Sequence, residues 1–138
     1  MLNVFRNVKV AGGEIPLDWR YIRWSEGDPQ PPISMLLYVP GTDDPIAGKS
    51  ISSGSLTSHP VPIYGYSNVT LYFEADKGGT VEIQILTPSE AWYTYDIISY
   101  SANTLLKYKI QHDGLLARLI YTPSVYPATI LEGSVVMT

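Results

Sequence analysis

The segment from Gly41 to Ser50 contains the residues that most resemble a phosphate-binding motif. Gly48 and Lys49 precede a serine after an apolar stretch, as at the end of a P-loop. The upstream glycine of that motif is Asp43 here, and Asp44 adds a second carboxylate where an anion would bind. The spacing and the charge therefore argue against a nucleotide site. A solvated acidic loop also explains these carboxylates better than a calcium site.

Other residues able to act as nucleophiles, bases or metal ligands are scattered along the chain. There is no cysteine, and the two histidines, His59 and His112, do not have the spacing of a ligand pair. Asp96 and Glu132 lie in apolar runs and could form the carboxylate pair of a glycosidase. Outward orientation, or contact with a lysine across the sheet, explains them better. We therefore expect a protein that is not an enzyme and binds no metal or cofactor.

Three large aromatic residues near the N-terminus, Trp19, Tyr21 and Trp24, lie between Gly- and Pro-rich segments. Fully burying a large apolar side chain stabilises by roughly 1.5–3 kcal/mol, so these rings should not remain in water. We expect them to pack on their own domain or on a neighbouring subunit. Arg20 and Arg23 beside them suit a partner surface that carries carboxylates. These five residues are the predicted subunit interface.

A second aromatic group, Trp92, Tyr93 and Tyr95, is a possible surface for stacking a ligand. A strand places Tyr93 and Tyr95 on one face, where the rings could stack on a sugar. Aromatic residues of this kind more often cover a sheet or enter an oligomer interface. Both interpretations remain open from the sequence.

The elements that must position these side chains are predicted to be strands. Apolar and polar residues alternate from Val69 to Ala75, and alternation resumes around Val81, Ile83 and Ile85 after an Asp-Lys-Gly-Gly turn, which predicts an antiparallel hairpin. Four further β-rich runs follow, separated by turn residues. They are 92–99, 106–110, 115–121 and 128–137. This spacing predicts an all-β fold, an antiparallel β-sandwich or jelly roll with an extended N-terminal arm.

The domain organisation predicted from composition has two parts. Residues 1–50 are expected to form an arm, a linker and a loop, which either belong to the same domain or pack on a neighbour. Residues 51–138 are expected to form the sandwich. The Gly-, Ser- and Asp-rich stretch from Gly41 to Ser58 is predicted to be a long surface loop.

Length and composition limit the classes of protein that remain. The 138 residues are 45% hydrophobic, enough for one core but not for two. Charged residues make up 16% and the net charge is −4, which is the wrong sign for a protein that binds nucleic acid through phosphate neutralisation. No apolar run approaches a membrane span or a signal peptide, so neither a membrane nor secretion is expected.

The order of segments in residues 60–138 resembles small β-sandwich virion proteins of tailed phages, of the capsid decoration or cement type. The segments are Ser67–Leu86, Ala91–Asp96 and Ala117–Pro123. The resemblance implies a structural, non-enzymatic virion protein, often a homotrimer, that binds the major capsid protein or another virion protein after assembly in the host cytoplasm. Similar sandwiches serve as carbohydrate-binding or adhesion modules, and an extracellular filament subunit is a third possibility.

Overall fold

The computed structural model describes residues 33–111 and 114–138, together with two short strands nearer the N-terminus. The chain divides between Pro31 and Pro32 into two units. In the first, β1 (Arg6–Asn7) pairs in parallel with β2 (Pro16–Leu17). The second unit is a β-sandwich, as predicted, and all its regular elements within the described ranges are strands.

Two sheets form the sandwich. Sheet I has the strand order β10-β7-β12-β3, with β4 also paired to β12, and sheet II has the order β5-β11-β8-β9, with β6 also paired to β11. All of these pairings are antiparallel. The strands are β3 (Ile33–Leu36), β4 (Ser50–Ile51), β5 (Leu56–Thr57), β6 (Val61–Pro62), β7 (Val69–Ala75), β8 (Gly79–Leu86), β9 (Trp92–Tyr100), β10 (Leu106–Ile110), β11 (Leu116–Pro123) and β12 (Ala128–Met137).

The core lies between the two sheets and is built by strict alternation. Every second residue of β7 and β11 is buried, as it is in β8 from Val81 to Ile85, because one face of each strand points to the opposite sheet. Phe73 of sheet I contacts two rings of sheet II, with centroid distances of 4.9 Å to Tyr121 and 5.3 Å to Tyr100. Edge-to-face and tilted arrangements of this kind add to the burial of apolar area.

The predicted hairpin between β7 and β8 is wrong. Both strands exist with the predicted faces, but β7 pairs with β10 and β12, whereas β8 pairs with β9 and β11. Residues 76–78 therefore carry the chain from one sheet to the other. A hairpin keeps both strands in one sheet. Here the apolar faces of β7 and β8 both line the core between the sheets instead of lying side by side.

The stretch predicted as a long surface loop is also partly core. Ile46 is completely buried, Ile51 is 6% exposed, and β4 and β5 extend the two sheets. Gly133 allows this packing, since a Cβ there would overlap the Ile46 side chain. Within the predicted arm and linker, residues 33–50 thus belong to the sandwich itself. Isolated apolar residues in a Gly/Ser-rich segment give no periodicity, so the sequence did not indicate their burial.

Candidate functional site

The outer face of sheet II presents an aromatic residue at the end of an apolar row. Cross-strand register places Trp92 beside Leu86, Leu86 beside Leu116, and Leu116 beside Pro62. Paired residues of antiparallel strands share a face, so these four side chains cross the sheet in one line. We refer to them as the apolar row. It is open to solvent at both ends, since Trp92 is half-buried and Pro62 is exposed.

A polar row lies next to the apolar row, two residues further along each strand. It contains Arg118, Gln84 and Thr94, which are adjacent on β11, β8 and β9. Arg118 Nε donates to Gln84 Oε1 at 2.7 Å, and Gln84 Nε2 donates to Glu82 Oε2 at 3.0 Å. Thr94 Oγ1 donates to the same Glu82 oxygen at 2.5 Å. Each side chain of the row is thereby held in one orientation.

Arg118 links the polar row to the aromatic ring. Its guanidinium carbon lies 4.0 Å from the centroid of the Trp92 ring, a cation–π contact. Only Nε of this guanidinium bonds another group among the described residues, so its terminal nitrogens retain their donor capacity. We call the group Trp92, Arg118, Gln84, Glu82 and Thr94 the platform.

The platform combines functions that a flat, hydroxyl-bearing ligand would need. The indole and the apolar row offer contact area, Arg118 offers N–H donors, and Glu82 offers carboxylate oxygens as acceptors. The two rows are about 7 Å apart, the distance spanned by two residues of a strand. Because the side chains are already hydrogen-bonded to one another, little rotamer entropy is lost on binding.

The predicted stacking group of Trp92, Tyr93 and Tyr95 does not form one surface. Tyr93 pairs with Ile85, a core residue, and therefore points to the opposite face from Trp92. Tyr95 lies at a β-bulge between Thr94 and Asp96. Both tyrosines are half-buried against the core, and the Tyr95 ring meets Tyr108 at a centroid distance of 6.3 Å. Trp92 alone of the three lies on the platform.

The other candidate residues are not brought together. Asp96 lies on sheet II, where it is exposed and accepts a hydrogen bond from the Tyr108 hydroxyl, while Glu132 lies on sheet I and accepts one from Ser134. They do not form a glycosidase-like pair. Throughout the described ranges, no three His, Cys, Asp or Glu residues cluster as metal ligands. Nor does any helix described there have the length and apolar character of a membrane span.

The predicted interface residues of the arm lie outside the residues that the structure describes. These are Trp19, Arg20, Tyr21, Arg23 and Trp24. His112 is also outside them, and His59 is exposed in a loop. The predicted role of the arm thus stays a prediction.

Sequence reasoning did not single out the polar members of the platform. Glu82, Gln84 and Arg118 alternate with apolar residues of their strands, which predicts that they face outwards, but alternation alone does not say which strands are neighbours. The pairing of β8 with both β9 and β11 brings the three side chains beside Trp92. Correct strand order would have been the signal that identified them.

Comparison with known proteins gives no family. No family model matches the chain, and no curated protein matches it. Solved structures with a similar fold include a family 29 carbohydrate-binding module, at 10% identity and a TM-score of 0.43 over 79% of this chain and 90% of that one. A variant of such a module is 10% identical, with a TM-score of 0.43 over 78% of this chain and 92% of that one.

A further similar structure is the CBM36-1 domain of a multidomain xylanase from the hindgut metagenome of Trinervitermes trinervoides. It is 11% identical, with a TM-score of 0.42 over 75% of this chain and 86% of that one. At such values a shared activity does not follow from the likeness.

Proposed function

We propose that this protein is a non-catalytic carbohydrate-binding module, and that the platform on sheet II is its binding surface. The observation that carries the proposal is the position of Trp92 next to an ordered row of donors and acceptors on an open sheet face. Sugars have the matching chemistry, since each ring has an apolar C–H face and a rim of hydroxyl groups. An aromatic side chain contributes contact area at a low entropic cost.

Binding would proceed by stacking and hydrogen bonding on a preformed surface. A sugar ring would pack beside Trp92 and along the apolar row, while its hydroxyls donate to Glu82 and accept from the terminal nitrogens of Arg118, whose guanidinium covers one face of the indole. The hydrogen bonds of Gln84 to both residues keep the donor and the acceptor at a fixed separation. A chain of several sugars would extend across the strands, because the apolar row itself crosses four of them.

Affinity gel electrophoresis with a panel of soluble polysaccharides tests the proposal. We expect wild-type protein to be retarded by at least one polysaccharide, and the Trp92→Ala variant to lose most of that retardation. Tyr64→Ala is the matched control, since Tyr64 is an aromatic side chain that is 77% exposed in a loop. The proposal fails if no polysaccharide retards the wild type. It also fails if Trp92→Ala behaves like Tyr64→Ala.

A role in capsid decoration remains a separate prediction from the resemblance to virion proteins. It requires the arm residues to anchor the protein on a major capsid protein or another virion protein. A Trp19→Ala/Trp24→Ala variant of the full chain should then lose capsid association while keeping its melting temperature. Unchanged decoration of capsids by that variant would rule out the anchoring role.

A further inference from the structure

The outer face of sheet I carries charges that have no ion-pair partner among the residues that the structure describes. Glu74 and Glu132 lie directly opposite each other on β7 and β12, where like charges destabilise a sheet. Lys107 and Lys109 project from the same face of the edge strand β10. Across the described residues, the ion pairs of lysine and arginine side chains are Lys49–Asp44 and Lys77–Asp76. The face thus carries two positive and two negative charges in separate places.

Strand register fixes where these charges lie relative to one another. One row across the face contains Lys107, Tyr72, Ser134 and Leu36, in that order, and the next contains Lys109, Thr70, Val136 and Ser34. The two glutamates lie in a third row on the far side of the first. Neighbouring strands are about 4.8 Å apart, and neighbouring rows are about 6.8 Å apart.

On a flat grid with these spacings, the register makes the positions self-complementary about a two-fold axis that lies in the plane of the face and passes close to Tyr72. On the flat grid set by those spacings, the axis that exchanges Lys107 with Glu74 also brings Lys109 within about 3 Å of the Glu132 position. The same axis places Leu36 of one copy over Val136 of the other. Leu36 is 44% exposed, so its apolar surface would gain a partner as well.

We infer that the outer face of sheet I binds a second copy of this chain, forming an isologous dimer. Lys107 and Lys109 of each copy pair with Glu74 and Glu132 of the other, and the two Tyr72 rings meet near the axis. The strands of the two copies cross at roughly 70°, close to the orthogonal class of sheet packing. The platform is on the opposite sheet, so the dimer leaves both copies of it open.

The dimer is expected to be weak and sensitive to salt. The face is four strands wide, about 15 Å, which is less than a standard interface provides. Four of the contacts are ion pairs, whose attraction is screened as the ionic strength rises. We therefore expect wild-type protein to approach the dimer mass at high concentration in about 0.02 M salt, and to return towards the monomer in about 0.5 M salt.

Charge reversal followed by mixing tests this interface in sedimentation equilibrium of the full chain. Lys107→Glu/Lys109→Glu and Glu74→Lys/Glu132→Lys should each weaken self-association at least tenfold. An equimolar mixture of the two variants should restore a dimer, because each now carries the charges that the other requires. Asp43→Lys/Glu90→Lys is the matched control, since both of these carboxylates are exposed outside the face.

Several results would overturn the inference. They are a wild-type monomer at every concentration, a trimer mass, reversed variants that associate like the wild type, and a mixture that stays monomeric. If the charge-reversal variants fail to fold, two single variants, Leu36→Arg and Tyr64→Arg, provide a second comparison. Leu36→Arg alone should weaken the dimer in that case, and Tyr64→Arg alone should not.

Discussion

Trp92 and Tyr93 are adjacent in sequence but have different roles, because successive side chains of a strand point to opposite faces. Trp92 contacts Arg118 on the platform, whereas Tyr93 lies beside Ile85 at the margin of the core. Substitutions at the two positions should therefore separate binding from stability.

Tyr93→Ala should lower the free energy of unfolding by about 1–3 kcal/mol, because it removes a half-buried ring from the core margin. Trp92→Ala should lower the free energy of unfolding by less, and should abolish carbohydrate binding instead. Urea denaturation of both variants measures the difference. Equal losses of stability would contradict the assignment of the two rings to different faces.

The hydroxyl of Tyr100 is a buried connection between strands. It accepts a hydrogen bond from the backbone N–H of Ala75 at 2.8 Å and donates to the carbonyl of Thr104 at 2.5 Å. Tyr100→Phe should cost about 1–3 kcal/mol of stability, since the Ala75 N–H would be left buried without a partner. Tyr64→Phe, at an exposed site, is the control for urea denaturation. A loss no larger than that of the control would show that the hydroxyl is not needed.

Tyr121 makes stability depend on pH in the alkaline range. Burial, and then the nearby Asp76 carboxylate, raises the pKa of Tyr121 from 10.0 to about 12. The folded state therefore holds this proton more tightly than the unfolded state. The contribution of the protonated hydroxyl to the free energy of unfolding is complete below pH 10.0 and is lost as the pH rises to about 12.

Unfolding free energies measured across that pH range should fall less steeply for Tyr121→Phe than for wild type. Some slope should remain, because burial and the Asp96 carboxylate also raise the pKa of Tyr108. Parallel pH profiles for the variant and the wild type would contradict this account of Tyr121.

Among the elements, β8 begins at a glycine on which the neighbouring strand β11 packs closely. Gly79 begins β8 opposite Pro123 of β11 and Tyr100 of β9, and a Cβ at this position would overlap the carbonyl oxygen of Thr122. The backbone of β11 thus approaches Gly79 too closely for any other residue.

Gly79→Ala should accordingly destabilise the protein by more than about 3 kcal/mol, or prevent folding, because the clash is with backbone atoms. Thr80→Ala, at the exposed next position, should change the stability little. Thermal unfolding of both proteins measures this difference. A Gly79→Ala protein with the melting temperature of the wild type would contradict the register of β8 with β11.

The sequence predicted the strands well but not their partners. All six predicted runs from Val69 to Met137 are strands, since alternation is a local property of each segment. Sheet membership depends on contacts between distant segments, which alternation does not encode. For the same reason β4 and β5 were missed, because two-residue strands are too short to show a period.

At the scale of the whole molecule, the two outer faces of the sandwich have different chemistry. Sheet II presents the platform, and sheet I presents separated positive and negative charges with Leu36. The sequence suggested Trp92 as a ligand-stacking residue but did not indicate the contacts among Arg118, Gln84 and Glu82 beside it. Those contacts arise only when three strands that are separate in sequence lie side by side.

The fluorescence of Trp92 itself reports whether the platform binds a carbohydrate. The chain has three tryptophans, so a Trp19→Phe/Trp24→Phe protein reports Trp92 alone. Titration with a polysaccharide that retards the wild type should produce a saturable change in emission, and Gln84→Ala in the same background should shift saturation to higher concentration. Retardation of this reporter protein without any change in its Trp92 emission would contradict the claim.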